Sequence, residues 1–310
     1  MTHAVLVLQR LSPARQSELE QAYEVHRLDL ATDPDALLAD VGPRIEAVVT
    51  DGHKGLTAAQ VARLPGLRLV ASGSAGLEGI DRAALRARDI PLTNPAVALA
   101  EEVADVALML LLAGWKSLPA LDAHVRTGAW ARGEFPLGRA LQGRTLGILG
   151  LGTIGTAVAK RAEAFGLNIA YTTRHPRPVP YDHEPSLLRL AERSDILAVI
   201  VPGGPETKGM VDTPVLDALG PEGLLVNVAR GSVVDEPALI DALAQGRLGA
   251  AALDVMWNEP RPDPRLMALP NVLLTPHIGS ATQETRDAMS ANVLANLRAL
   301  FEGRPLVSEV

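Results

Sequence analysis

Short apolar runs alternate with helix-period patterns along the whole chain. The runs fall at 4–8, 45–49, 67–71, 144–149, 168–172, 195–201, 223–228, 250–255 and 271–275, and each is dominated by apolar residues without strict alternation. Continuous apolar runs of this length predict strands covered on both faces, whereas alternation would predict a half-exposed sheet. Strands separated by helical patterns over such a length predict an α/β fold with parallel sheets and right-handed crossovers. At 310 residues the chain exceeds what one core usually supports, so two domains are expected. It contains no internal repeat and no low-complexity tract.

One helical pattern stands apart. From Glu101 to about Leu118 the sequence EEVADVALMLLLAGWKSL is apolar on more than one face, with acidic residues at its start, where they suit the helix dipole. A segment without any strand-like run follows at 119–142, carrying Trp130 and Phe135. So apolar a helix is expected to be buried, either as an internal core helix or between domains or subunits. The pattern leaves both open.

Composition narrows the class. The chain is 47% hydrophobic and 21% charged, with a net charge of −7. That balance argues against nucleic acid or an anionic membrane as partner, though a local arginine pocket can still take a small anion. There is no cysteine, which removes disulfides, thiolate metal sites and a cysteine nucleophile. The seven histidines show no metal-ligand spacing, so no metal is expected. The N-terminal apolar run is too short for a signal peptide, and the long stretch at 103–115 contains Asp105 and is too short for a span. A soluble, cytoplasmic protein is expected.

Gly150, Gly152 and Gly155 form G-L-G-T-I-G between the strand pattern RTLGIL and the helix pattern IGTAVAKRAEAF. In that helix Ile154, Val158 and Phe165 are expected on one face, with Gly166 as its stop. Glycines permit the tight turn and close backbone approach, and the helix N-terminus suits a pyrophosphate, so the loop predicts a dinucleotide site. An NAD site places Asp or Glu on the ribose about twenty residues further on. Here no acid occurs between Glu163 and Asp182, and YTTRHPRP puts Arg174, His175 and Arg177 there instead. Arginine can clamp a 2′-phosphate that an acid would repel. NADPH is therefore expected over NADH.

Three polar residues follow the last three apolar runs: Arg230 in VNVARG, Glu259 in WNEP and His277 in TPHIGS. Ligands bind outside the carboxyl ends of strands in open α/β sheets. There His277 is suited to give a proton to a carbonyl oxygen as hydride reaches the carbon. Glu259 would stabilise and orient the charged imidazole, and Arg230 would grip a carboxylate and polarise the adjacent carbonyl. Asp254, ending its strand, is placed to meet the nicotinamide end. Singly each has a plainer reading, as a surface arginine, a turn residue before Pro260 and a satisfied histidine. Together, downstream of a cofactor loop, they predict a hydride-transfer site.

The segments LGILGLGTIG, NVARGSVVDEPALIDAL, ALDVMWNEP and NVLLTPHIGSAT resemble the D-isomer-specific 2-hydroxyacid dehydrogenases, and the likeness covers almost the full chain. Within the family, TNPAVALAEEVADVAL, VRTGAW and RAEAFG look like the NADPH-preferring glyoxylate/hydroxypyruvate reductases and the hydroxyphenylpyruvate reductases. MWNEP and PGGPET depart from the common spelling. The resemblance implies Arg230, Glu259 and His277 as the catalytic set. It implies Thr153, Ile154, Pro202, Thr207, Ala229 and Asp254 as cofactor contacts beside the glycines, Arg174 and Arg177. It also implies that Ser74, Ala75 and Gly76 meet the substrate carboxylate. The implied architecture is two doubly wound parallel-sheet domains: a Rossmann cofactor domain at 100–284 inserted in a flavodoxin-like substrate domain at 1–99 plus 285–310. A homodimer through 101–118 and the arm after it is implied as well.

The leading expectation is reduction of glyoxylate or hydroxypyruvate by NADPH, with NADH a possible second donor. Reduction of a bulkier 2-keto acid, a phenylpyruvate or a keto-sugar acid, is the alternative. A dinucleotide-sensing protein resembling transcriptional corepressors is a third, disfavoured by the intact trio.

Overall fold

The computed structural model describes residues 2–310. The chain divides into two compact units, Met1–Leu99 with Ala281–Val310, and Ala100–Ser280. Each is built on an all-parallel sheet.

In the first unit the strands are β1 (Ala4–Val7), β2 (Glu24–Arg27), β3 (Ala47–Thr50), β4 (Leu69–Ser72) and β5 (Leu92–Thr93), ordered β2-β1-β3-β4-β5. This is the flavodoxin-like order. The C-terminal helix Gln283–Phe301 sets Val293, Leu294 and Leu297 against Val5, Val7, Val49 and Ala71 on one face of the sheet. Their spacing is that of one helical face. Leu38, Val61, Leu64 and Leu85 cover the other face.

The second unit carries β6 (Thr145–Leu149), β7 (Asn168–Thr172), β8 (Asp182–His183), β9 (Ile196–Val199), β10 (Leu224–Asn227), β11 (Ala250–Leu253) and β12 (Val272–Leu274). The order is β12-β11-β10-β9-β6-β7-β8. Chain direction along the sheet reverses between β6 and β9, and open α/β sheets bind ligands at such a switch point. Two doubly wound parallel sheets, the expected fold class, are thus present.

All nine apolar runs form strands, with ends shifted by a few residues. The three strands that the pattern did not signal, β2, β5 and β8, each lie at a sheet edge. An edge strand has one neighbour and less cover, so EVHR and DH can pair without an apolar run.

Two expectations need correction. The helix expected over 101–118 runs Ala100–Trp115, and a second helix, Leu118–Arg126, leaves it at 58°. The break lies at Ser117, which takes a left-handed φ of 53°, and Pro119, whose ring suits a first turn but not an interior. Ala104, Leu108 and Leu111 of the first helix pack with Leu146, Ile148, Ala198 and Val226, so it is a core helix of its own unit. Phe165 does not share the face of Ile154 and Val158. The helix Thr153–Ala164 ends before it, and the ring is 46% exposed. Gly166, at φ 75°, does provide the left-handed stop. Among the described residues no single helix is long and apolar enough to cross a membrane.

Candidate active site

β6 delivers the glycine loop to the switch point. Gly150 has φ 100°, and a Cβ there would lie 2.8 Å from Val201 Cγ1, so the tight turn requires glycine. A Cβ on Gly155 would stand 2.2 Å from Gly150 O, so the helix rests directly on the turn. A Cβ on Gly152 would meet nothing within 4 Å. That open face, at a helix start without a side-chain cap, leaves first-turn N–H groups for an anion. Thr153 and Ile154 open this helix. A groove of about 470 Å³ beside it is lined by Gly152, Thr153, Thr156, Lys160, Arg161 and Arg177. The loop therefore fits a pyrophosphate-bearing cofactor.

Beyond β7, Arg174 is 89% exposed on its side chain. Arg177 is fixed through its backbone, whose N–H donates to Tyr171 Oη at 2.7 Å. Sequence patterning missed a neighbour: Glu206 Oε2 lies 3.5 Å from Arg174 Nη1, carried in by the loop after β9. Thr207 Oγ1 donates to Pro202 O at 2.7 Å and closes that loop.

At the far strands the geometry is tighter. His277 Nδ1 lies 2.6 Å from Glu259 Oε2, and Met256 N–H donates to Glu259 Oε1 at 2.9 Å. Both carboxylate oxygens are thereby engaged. Burial pushes the Glu259 carboxyl up, but the hydrogen bonds from His277 and the Met256 N–H, with the charges of His277 and Arg230, outweigh it and hold it below its usual range. With Nδ1–H donated to Glu259, Nε2 of His277 is left to carry a transferable proton.

His277 itself has φ 54°, a left-handed conformation that a non-glycine residue adopts only when its surroundings impose it. Asp254 imposes it here. Its Oδ1 accepts from Thr275 Oγ1 at 2.6 Å and from the Ile278 N–H at 2.8 Å, and its Oδ2 from the Gly279 N–H at 2.8 Å. The His277 N–H donates to Asp254 O at 2.9 Å. Asp254 is 1% exposed, so in this structure it serves the turn that aims the imidazole.

Arg230 follows β10 in a turn shaped by Asn227. Asn227 Nδ2 donates to Arg230 O at 3.0 Å, and its Oδ1 accepts from the Ala229 N–H at 3.0 Å. Arg230 Nη1 also donates to Ala229 O at 2.6 Å. Asn227 was not singled out from the sequence. Its signal was a polar residue ending an otherwise apolar strand, LLVN.

Ser74, Ala75 and Gly76 belong to the first unit, after β4. Their carbonyl oxygens accept from Ser72 Oγ (2.9 Å), Asn94 Nδ2 (3.1 Å) and Ser74 Oγ (2.8 Å). The loop thus turns its oxygens inward, and among the described residues the N–H groups of Ala75 and Gly76 have no intrachain acceptor.

Comparison with known proteins shows the family. A family model for the D-isomer specific 2-hydroxyacid dehydrogenase NAD binding domain matches residues 108–279. Glyoxylate/hydroxypyruvate reductase A of Arabidopsis thaliana is 43% identical over 99% of this chain and 98% of its own length. Hydroxyphenylpyruvate reductase of Plectranthus scutellarioides is 41% identical over the same shares. The crystal structure of NADPH-dependent glyoxylate/hydroxypyruvate reductase from Sinorhizobium meliloti, in complex with NADP and malonate, superposes with a TM-score of 0.90 at 40% identity. That match covers 100% of this chain and 97% of the other. The resemblance read from the motifs is borne out, and the chain belongs to the D-isomer specific 2-hydroxyacid dehydrogenases, oxidoreductases that use NAD(P).

Proposed function

We propose that this protein reduces a small 2-keto acid, glyoxylate or hydroxypyruvate, to the corresponding 2-hydroxy acid with NADPH. The observation that carries the chemistry is the 2.6 Å pair of His277 Nδ1 and Glu259 Oε2. A bound nicotinamide supplies the hydride. His277 gives the proton from Nε2 to the carbonyl oxygen, and Glu259 orients the imidazole. Arg230 grips the substrate carboxylate and polarises the neighbouring carbonyl. The N–H groups of Ala75 and Gly76 are suited to a substrate carboxylate. Asp254 keeps the turn of His277 in place and meets the cofactor only as that turn allows.

The unit Ala100–Ser280 holds the dinucleotide, and Met1–Leu99 with Ala281–Val310 holds the substrate. Gly150, Gly152, Thr153, Ile154 and Gly155 cradle the pyrophosphate. Pro202, Thr207 and Ala229 line the cofactor, and Arg174 with Arg177 takes the 2′-phosphate. Arg174 is free to swing because its only partner is the equally exposed Glu206 among the described contacts. A homodimer, in the cytoplasm, completes the proposal. Its support is the apolar side chains of Leu118, Val125, Trp130 and Leu137, which are exposed in the single chain.

A bulkier substrate is the second reading, favoured by the 41% identity to a hydroxyphenylpyruvate reductase. Steady-state NADPH oxidation with glyoxylate, hydroxypyruvate, hydroxyphenylpyruvate and 2-ketogluconate separates the two. The proposal expects the two small acids to give the highest kcat/KM, and NADPH to outperform NADH. Highest kcat/KM on hydroxyphenylpyruvate would transfer the assignment to the second reading, and NADH ahead of NADPH would overturn the cofactor preference.

A further inference from the structure

We infer that Glu236 is a positioning residue for the proton-transfer pair, holding the loop that carries Glu259 through the backbone N–H of Trp257. The inference rests on the proposed role of Glu259 and His277 and extends it to a carboxylate outside the site.

Glu236 opens the helix Glu236–Ala244 and is 5% exposed, a rare position for a carboxylate. It is not the cap of that helix, because Asp235 already accepts from the Ala238 N–H. Its Oε2 accepts instead from the Trp257 N–H at 2.8 Å. The Trp257 indole Nε1–H donates to Val234 O at 2.8 Å, so Trp257 is bound twice by one segment. The next N–H back, that of Met256, donates to Glu259 Oε1. Consecutive N–H groups of one loop are therefore claimed by two carboxylates, one from the helix start and one from the site. Gly231 completes the clamp: a Cβ there would lie 2.2 Å from Met256 C, so the backbone after Arg230 rests on this loop.

The consequence is geometric. Glu259 leaves Oε2 for His277 only while Met256 N–H holds Oε1, and Met256 stays there only while Trp257 is fixed. Loss of the Glu236 bond lets residues 256–259 shift, and the pair opens. A reacting group misplaced by about 1 Å loses roughly a hundredfold in rate. Binding of NADPH at the glycine loop does not pass through this clamp.

Three substitutions separate contact from charge. Glu236→Asp keeps the charge but is too short to reach Trp257 N–H. Glu236→Gln keeps the reach and an acceptor oxygen but loses the charge. Glu236→Ala loses both. We expect kcat to fall by about tenfold or more in Glu236→Asp and Glu236→Ala, the scale of one lost buried hydrogen bond to a charged group. In Glu236→Gln kcat stays within about threefold, and in all three the KM for NADPH stays within about twofold, because uniform binding is untouched. Glu236→Asp turning over like the parent, or Glu236→Gln losing as much as Glu236→Ala, would overturn the inference. If Glu236→Ala does not fold, the Asp and Gln variants decide alone, since both conserve a polar side chain of similar size. His277→Ala run alongside keeps the two claims apart. Turnover surviving in His277→Ala defeats the proton-donor reading, whereas a dead His277→Ala with a fully active Glu236→Asp defeats only the role of Glu236.

Discussion

Replacing Glu259 by Gln tests the pair most sharply, because shape is kept while charge and one acceptor are lost. Glu259 now accepts with both oxygens, from His277 Nδ1 at 2.6 Å and from the Met256 N–H at 2.9 Å. Glutamine has one acceptor oxygen, so one of those donors is left facing an amide N–H. A hydrogen bond to a charged group contributes about 1.5–3 kcal/mol. The His277 side chain is 47% exposed, so solvent screening keeps the effect near the lower end, about 1.5–2 kcal/mol. At 1.36 kcal/mol per decade that is roughly a 10- to 30-fold fall in kcat. The assay is NADPH oxidation at saturating keto acid, with NADPH affinity measured separately by fluorescence and expected to be unchanged. A kcat within twofold of the parent, at unchanged affinity, would refute the view that Glu259 supports the imidazole.

Other consequences follow from the same geometry. Gly155→Ala sets a Cβ 2.2 Å from Gly150 O, and overpacking of this kind costs about 1–3 kcal/mol; a lowered urea midpoint with weakened NADPH binding is expected, and unchanged values of both would contradict the packing argument. Arg174→Ala removes the exposed guanidinium beside Glu206, so KM should rise about tenfold for NADPH and hold for NADH, the scale of one charge-assisted pair; equal shifts for both cofactors would remove Arg174 from the 2′-phosphate site. Burial raises the Glu236 carboxyl above 4.5, so the native state holds its proton longer than the unfolded chain and loses stability as pH rises through that raised value. Glu236→Gln abolishes this loss, which denaturation at mildly acidic and at neutral pH would reveal as a flatter dependence. Glu259 has the opposite sign. Its carboxyl is held below 4.5, so its contribution is present above that value and fades as pH falls through the lowered one.

Most of the fold was legible because buried parallel strands announce themselves as continuous apolar runs, and both sheets are covered on two faces. The strands that escaped sit at edges: β2 and β8 are only partly covered, and β5, though buried, is just two residues long. The break after Trp115 escaped because Leu118 stays in helical step with Leu111 and Trp115, whereas the backbone responds to Pro119 and a left-handed Ser117. The His277–Glu259 pair was suggested by residue type just past buried strands, where each residue alone kept a plainer reading, and the structure brings the two together. Its supports were mostly not suggested. Asn227 shapes its own turn through Ala229 and Arg230, Thr275 acts on the Asp254 carboxylate, and Glu236 on the distant Trp257 N–H. Of the three only Asn227, a polar end to an apolar strand, left a mark in the sequence. Glu206 left none, since its nearness to Arg174 depends on how two loops lie over the sheet.

The central claim is that His277, held by Glu259, delivers the proton during reduction of a 2-keto acid. Its most direct measurement is the pH dependence of NADPH-driven glyoxylate or hydroxypyruvate reduction by the parent and by His277→Ala. The parent should slow with rising pH, because a general acid must carry a proton to give. The variant should bind NADPH normally yet turn over about a hundredfold or more slower, the range for losing a general acid, with that alkaline fall abolished. A variant as active as the parent, or a parent whose rate stays flat into alkaline pH, would contradict the account.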